Sequence, residues 1–135
     1  MNDYIYSTGK RKRSIARIFL KNGSGLIYIN NLENYFKDSV RSLNIIRKPL
    51  KVLNIEKIVD IKITVKGGGL TGQAEAIRHG ISKALVKFNT QIKDTKQTVK
   101  KTLKDLGFLT RDPRKVERKK VGRRKARKKE QYSKR

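Results

Sequence analysis

The sequence predicts a two-layer α/β sandwich, an α+β fold with its helices on one face of a sheet, followed by an extended basic tail. Three observations lead there. Runs of strand-like residues come first, at 4–8, 14–20 and 26–29. A strand pattern, a glycine-rich turn and an amphipathic helix then follow one another between residues 58 and 88. From residue 111 onward the composition changes, and fourteen cations stand against three acids, a net +11.

The first two strands flank Gly9-Lys10-Arg11-Lys12-Arg13, where four cations fill what reads as one turn. Adjacent like charges repel unless something neutralises them, so Lys10, Arg11, Lys12 and Arg13 are expected to contact phosphates. Lys21-Asn22-Gly23-Ser24-Gly25 is turn chemistry, which with the next strand predicts a hairpin and three sequential strands. Asn30 or Asn31 can cap a short helix through Leu32, Tyr35 and Phe36. From Lys37 to Glu56 the apolar positions suit either a helix before Pro49 or extended chain, and periodicity does not decide.

Ile58, Val59, Ile61, Ile63 and Val65 then crowd β-branched residues together, with Asp60, Lys62 and Thr64 alternating against the last three, as a half-buried strand requires. After the glycines, Ala74, Ile77, Ile81, Ala84, Leu85 and Phe88 mark one buried face of a helix, with Arg78, Lys83 and Lys87 off it. A third helix over 91–106 places Ile92, Val99, Leu103 and Leu106 on one face, with Gly107 as its stop signal. The order of elements, three strands, helix, strand, helix, is that of a sandwich with helices on one side.

The turn Gly67-Gly68-Gly69-Leu70-Thr71-Gly72 satisfies G-x-G-x-x-G between a strand and a helix. A dinucleotide site also needs a second buried strand carrying an acid, and residues 89–94 contain one apolar side chain. A P-loop fails too, because Gln73-Ala74 stands where lysine and a hydroxyl would bind phosphate and magnesium. What remains is a sharp turn that permits close approach, with N–H groups at a helix start that suit phosphate oxygens, RNA included. The candidates are Lys66, Gly67, Gly68, Gly69, Thr71 and Gln73, with Arg78 and His79 on the helix behind them. His79 reads as a packing or phosphate contact rather than a catalyst.

Composition narrows the function. With 135 residues and 36% hydrophobic content the chain supports one small core, expected over 1–110, plus an appendage over 111–135. Thirty-six Lys and Arg against 11 acids give +25, which calls for a polyanionic partner. The chain has no cysteine and one histidine, which excludes disulfides, thiolate zinc sites and a Cys or His nucleophile relay. No catalytic residue, metal or cofactor is therefore expected. There is no 18-residue apolar run for a membrane, and Met1-Asn2-Asp3-Tyr4 begins neither a signal nor a transit segment. The tail has too few apolar residues to bury itself and is expected to be disordered until neutralised; extended, it would span roughly 80 Å at about 3.3 Å per residue. Its candidate phosphate contacts are Arg111, Arg114, Lys115, Arg118, Lys119, Lys120, Arg123, Arg124, Lys125, Arg127, Lys128 and Lys129.

Several of these stretches resemble a known family. They are Val65 to Ala74, Ala76-Ile77-Arg78-His79-Gly80, Leu109 to Lys120 and the ending Gln131-Tyr132-Ser133-Lys134-Arg135, together with Gly9 to Arg17 and Gly25 to Asn30. In that order they resemble the small-subunit ribosomal protein nine family, bacterial and plastid type, over nearly the whole chain. The resemblance implies a β3-α-β-α core similar to the second domain of small-subunit ribosomal protein five, with a left-handed crossover. It implies a structural protein of the small-subunit head, bound to the 3′ major domain of 16S-type rRNA beside proteins seven, ten and fourteen, and not a free homo-oligomer. It also implies a tail that reaches the peptidyl site, where Ser133, Lys134 and Arg135 approach the anticodon stem-loop of the tRNA.

The chain departs from the family pattern at Tyr132, Val121 and Lys128-Lys129-Glu130, and it matches least from Leu43 to Ile58. Lys, Asn and Ile make up a third of the residues and share A/T-rich codons, which points to a plastid-encoded protein of the stroma or to an A/T-rich bacterium. Two other functional classes compete. A DNA-compacting protein would need charge but no folded domain, and a nucleotide-dependent enzyme lacks the residues for chemistry.

Overall fold

The structure, a computed structural model, describes residues 4–32, 35–91 and 96–133. Seven elements follow in order: β1 (Ile5–Arg11), β2 (Ser14–Asn22), β3 (Ile27–Ile29), α1 (Val40–Val52), β4 (Val59–Lys66), α2 (Leu70–Gln91) and α3 (Lys96–Asp105). The four strands form one sheet in the order β1-β2-β4-β3, and with the three helices they make the expected mixed α+β, two-layer fold. Alternation sorts each strand into two faces. Ala16, Ile18 and Leu20 of β2 and Val59, Ile61, Ile63 and Val65 of β4 are buried on the face that meets α2. From the helix, Ala74, Ile77, Ile81, Ala84, Leu85 and Phe88 complete that core. Each buried Ile or Leu contributes about 1.5–3 kcal/mol.

The expected hairpin between β2 and β3 does not form. Instead β4 lies between them, antiparallel to β2 and parallel to β3, and α1 makes the crossover from β3 to β4. Asp60 of β4 explains the arrangement. Its Oδ1 accepts the amides of Ser24, Gly25 and Leu26 at 2.9, 3.0 and 2.9 Å, so the turn folds against β4 rather than back along β2. The Leu26 amide first, then those of Ser24 and Gly25, hold this carboxyl below the usual carboxylate range.

Asn30 and Asn31 do not cap a helix; both adopt left-handed backbone angles, φ 52 and 63. The Asn30 side chain pairs like a strand backbone, taking the Val65 amide at 2.9 Å and donating to the Val65 carbonyl at 3.3 Å. Glu33 and Asn34, within the expected short helix, lie outside the described residues, and 35–38 form a turn that buries Phe36. The helix of the next segment runs through Pro49 instead of stopping before it. Ser39 caps its start, accepting the Ser42 amide at 3.2 Å. Asn54, at φ 55, ends it by donating to the Lys51 carbonyl while Ile55 donates to Leu50. These caps and the burial of Ile46, Pro49 and Leu50 outweigh the hydrogen bond that proline forfeits.

In α3, Val99 and Leu103 are buried as expected, Ile92 lies outside the described residues, and Leu106 is 46% exposed. Gly107, at φ 78, turns the chain there, with its amide on Lys104 and that of Phe108 on Leu103. Phe108 thereby takes the buried place expected for Leu106.

Strand β1 reaches further than its apolar residues suggest, because Gly9, Lys10 and Arg11 belong to it. Only Lys12 and Arg13 form the hairpin tip, with Lys12 at φ 53. Gly9 lets the strand touch α2 backbone to backbone: an added Cβ would overlap the Ala76 carbonyl oxygen and the Gly80 nitrogen. The open edge of β1 is covered by side chains of the same helix. Lys87 Nζ donates to the Tyr6 carbonyl at 2.9 Å, Lys83 Nζ to that of Thr8 at 3.0 Å, and the Lys10 amide donates to His79 Nδ1 at 3.3 Å. His79, Lys83 and Lys87 are one helical turn apart and leave this edge no free template for another strand. Beyond Leu109 the described residues contain no helix or strand, only an isolated bridge between Arg123 and Lys129.

Candidate nucleic-acid interface

The glycine loop is held from below. Gly67 and Gly68 take φ 75 and 68, which side chains resist. The Gly67 carbonyl accepts from buried Ser14 Oγ at 2.9 Å and from Gln73 Nε2 at 3.2 Å. Gln73 Oε1 in turn accepts from the Tyr35 hydroxyl at 3.1 Å. Gln73, a sequence candidate for RNA contact, is thus a buried brace for the loop. The three adjacent glycines are not equivalent. A Cβ on Gly67 would press on the Arg13 carbonyl at 2.7 Å and one on Gly68 would overlap Ser14 Oγ, whereas one on Gly69 would meet nothing within 4 Å.

From Gly69 the chain enters α2, with the Gln73 amide bonding the Gly69 carbonyl at 2.9 Å as the first helical link. The N–H groups of the following turn have no helical partner, and that turn carries no acid. Around it opens a groove of about 850 Å³. Its walls are the hairpin tip, Lys12 and Arg13, the loop from Gly68 to Gly72, and the tail residues Lys115 and Arg118. Glu117, on the same wall, is ion-paired with Lys120 and with Arg127 at 3.1 Å, and both partners lower its carboxyl, Lys120 first. Three segments singled out separately in the sequence therefore line one groove, whose walls carry the apolar Leu70 and Val116 beside the four cations.

Arg11 belongs to a different device. Its Nε meets Glu75 at 2.8 Å and its Nη1 meets Asp112 at 2.8 Å, with 15% of the side chain exposed. This links β1, α2 and the base of the tail, and it spends Arg11 inside the protein. Asp112 is held far below the usual carboxylate range, first by the Arg114 guanidinium and amide and then by Arg11. His79 completes the anchor. With Nδ1 accepting from Lys10, the proton resides on Nε2, which faces the Leu109 carbonyl at 3.3 Å. Burial first, then Lys83, lowers the imidazole pKa, so the ring is neutral at pH 7 and serves as packing. Arg78 lies over the Phe108 ring at 4.9 Å and fixes the other side of the same junction.

The remaining candidates fall elsewhere. Lys10 and Lys66 project from the sheet face opposite the helices, and Thr71 is exposed in the first turn of α2. Of the tail cations, Arg111, Lys119, Arg124, Lys125, Lys128 and Lys129 are exposed, while Lys120 and Arg123 are partly covered. Arg123 Nη1 donates to the Arg127 carbonyl at 3.0 Å, and the Arg123 amide donates to the Lys120 carbonyl at 3.3 Å, closing a small turn over Gly122, at φ 77. Ser133 is exposed; Lys134 and Arg135 lie outside the described residues. Sequence reasoning missed Glu75, Asp112 and Ser14, whose partners are distant in the chain. The acids Glu75 and Asp112 amid so many cations were the available signal.

A basic two-layer domain whose hairpin, glycine loop and tail line one groove has the build of a nucleic-acid-binding protein. The family model of ribosomal protein S9/S16 matches residues 9–135, and the chain belongs to that family. It is a structural protein of the small ribosomal subunit that binds rRNA and works in the ribosome during translation.

Proposed function

We propose that the domain over 1–110 docks on the 3′ major domain of the rRNA in the subunit head, and that the groove beside the glycine loop receives its phosphate backbone. The observation that carries this is that Lys12, Arg13, Lys115 and Arg118 line one groove with the turn from Gly68 to Gly72. Lys10, Lys66 and Thr71 extend the contact, and the tail cations from Arg111 to Lys129 continue it as a thread that RNA orders. Arg11, Gln73 and His79 act by holding the surface in shape. Neighbours in the head are proteins seven, ten and fourteen. The ribosome in question is that of a plastid or of an A/T-rich bacterium, in keeping with the abundance of Lys, Asn and Ile.

Gly69 gives the sharpest test of close approach. Gly69→Ala meets no protein atom within 4 Å. Its cost in stability is expected to be about 1 kcal/mol or less. If phosphates come against this turn, the added methyl group weakens binding to the isolated rRNA domain about tenfold, equivalent to about 1.4 kcal/mol. Unchanged binding in a filter or anisotropy assay would place the RNA elsewhere.

The end of the tail has a separate role in this reading, toward tRNA in the peptidyl site. Lys134 is a point charge, Arg135 a planar fork, and Ser133 a small hydroxyl, with the terminal carboxylate opposing both charges. Deleting Ser133, Lys134 and Arg135 is expected to leave subunit assembly intact and to weaken peptidyl-site tRNA by about tenfold or less. Equal tRNA dissociation rates from full-length and shortened subunits, at low and moderate salt, would remove that role.

A further inference from the structure

The second face of the sheet has no covering element among the described residues. Register places Tyr6 of β1 opposite Phe19 of β2, Phe19 opposite Lys62 of β4, and Lys62 opposite Tyr28 of β3. One row thus crosses all four strands as ring, ring, cation, ring. The next row reads Thr8, Arg17 and Thr64. Tyr6 is 44% exposed, and its ring centroid lies 5.1 Å from that of Phe19. Arg17 is set 5.7 Å from the centre of one ring and 5.9 Å from the other, with its Nε donating to the Tyr6 hydroxyl at 3.3 Å. Beside this row, Lys21 lies 5.2 Å from the Tyr4 ring.

We propose that this open face is a second RNA site of the protein, a platform on which unpaired bases of a single strand stack while flanking cations take its phosphates. The proposal rests on the rRNA-binding reading above and adds a separate surface and a separate form of RNA to it. Charge favours a polyanion: Arg17, Lys21 and Lys62 project here, and the acid among them, Asp60, is occupied by three backbone amides. The kind of polyanion follows from the centre of the face. The core of a protein–protein interface is depleted in lysine. Here the exposed aliphatics, Ile15 and Leu26, stand at opposite corners, and the middle is rings and cations. Tyr4 and Tyr6 are exposed and Phe19 and Tyr28 half-buried, and rings on a sheet interleaved with basic residues accept any base by its π-face.

The test uses the full-length protein and a fluorescent oligouridylate of about 12 nucleotides, within the reach of such platforms. Anisotropy is measured at several salt concentrations, so that the tail's electrostatic share can be separated. A Tyr6→Leu, Phe19→Leu double variant removes the ring faces but keeps apolar bulk, and it is expected to bind the strand about tenfold more weakly with an unchanged salt slope. Arg17→Gln with Lys62→Gln is expected to lower the slope instead, by about one to two units. Wild-type affinity in the ring variant overturns the proposal, as does equal displacement of the strand from both proteins by poly-glutamate, which would mean charge alone. Should the ring variant fail to fold, photo-crosslinking of an iodouridine strand to the wild-type protein decides: adducts on Tyr4, Tyr6, Phe19 or Tyr28 support it, and adducts confined to the tail overturn it. Normal binding of the rRNA domain by a ring variant that also binds the strand normally removes the platform and leaves the groove standing.

Discussion

Gly9→Ala is expected to lower the urea midpoint more than any other single methyl group added to this protein. The new Cβ would overlap two backbone atoms of α2, the Ala76 carbonyl oxygen and the Gly80 nitrogen, and neither can swing aside as a side chain can. The helix would have to lift from β1, taking with it the core packing of Ile77 and Ile81 and the three bonds that close the strand's edge. Overpacking of this kind costs about 1–3 kcal/mol where side chains can yield, and more where backbone must move. A loss of about 3 kcal/mol or more is expected, a large share of the roughly 5–15 kcal/mol that holds a domain together. Gly80→Ala is expected to cost less, because its Cβ would meet the buried Ile18 Cγ1 at 2.6 Å and the Gly9 nitrogen only at 3.0 Å, and alanine restores about 1 kcal/mol of helix propensity. A Gly9→Ala protein that unfolds at the wild-type midpoint would show that strand and helix are not locked at this crossing.

Removing residues 115–135 is expected to have the largest effect on RNA. This truncation keeps Asp112 and Arg114, so Arg11 retains both its acids and the domain keeps its anchor. It deletes twelve cations. If about half of them meet phosphates, the log–log dependence of binding on salt flattens by roughly four to five units, at about 0.7–0.9 per phosphate. Affinity at low salt should fall by several orders of magnitude while the melting temperature stays close to that of the full chain. An unchanged slope would make the tail a solvated run of charge.

Much of the fold could be read from periodicity, and the failures have specific causes. The β4, loop and α2 segment was legible because alternation in 59–65 and helical spacing from Ala74 to Phe88 each name a buried face. Strand neighbours were not, because a period of two says which side chains point inward but not which strand lies alongside; the three amides gathered by Asp60 settle that point. Periodicity leaves 37–56 open between a helix ending before Pro49 and extended chain, yet a helix capped at Ser39 and Asn54 and buried along Ile46 and Leu50 tolerates one missing bond. At the site, charge density marked segments that line one groove and could not say which cations face solvent. Arg11 and Lys12 are neighbours in a run of like residues, but β1 turns one inward onto Glu75 and Asp112 and leaves the other at the hairpin tip. Only the pairing of strands and the return of the tail make that distinction.

The central claim is that hairpin, glycine loop and tail base form one phosphate site, and a four-residue variant addresses it directly. Lys12, Arg13, Lys115 and Arg118 line the groove without supporting the core, so replacing all four with glutamine should leave unfolding unchanged. Binding of this variant to the isolated 3′ major domain of rRNA is then compared with wild type across salt concentrations. The expected result is a slope lower by about three units, at roughly 0.7–0.9 for each phosphate that the variant no longer neutralises. A folded variant that binds with the wild-type slope would contradict it, and the convergence of these residues would then be a feature of packing alone.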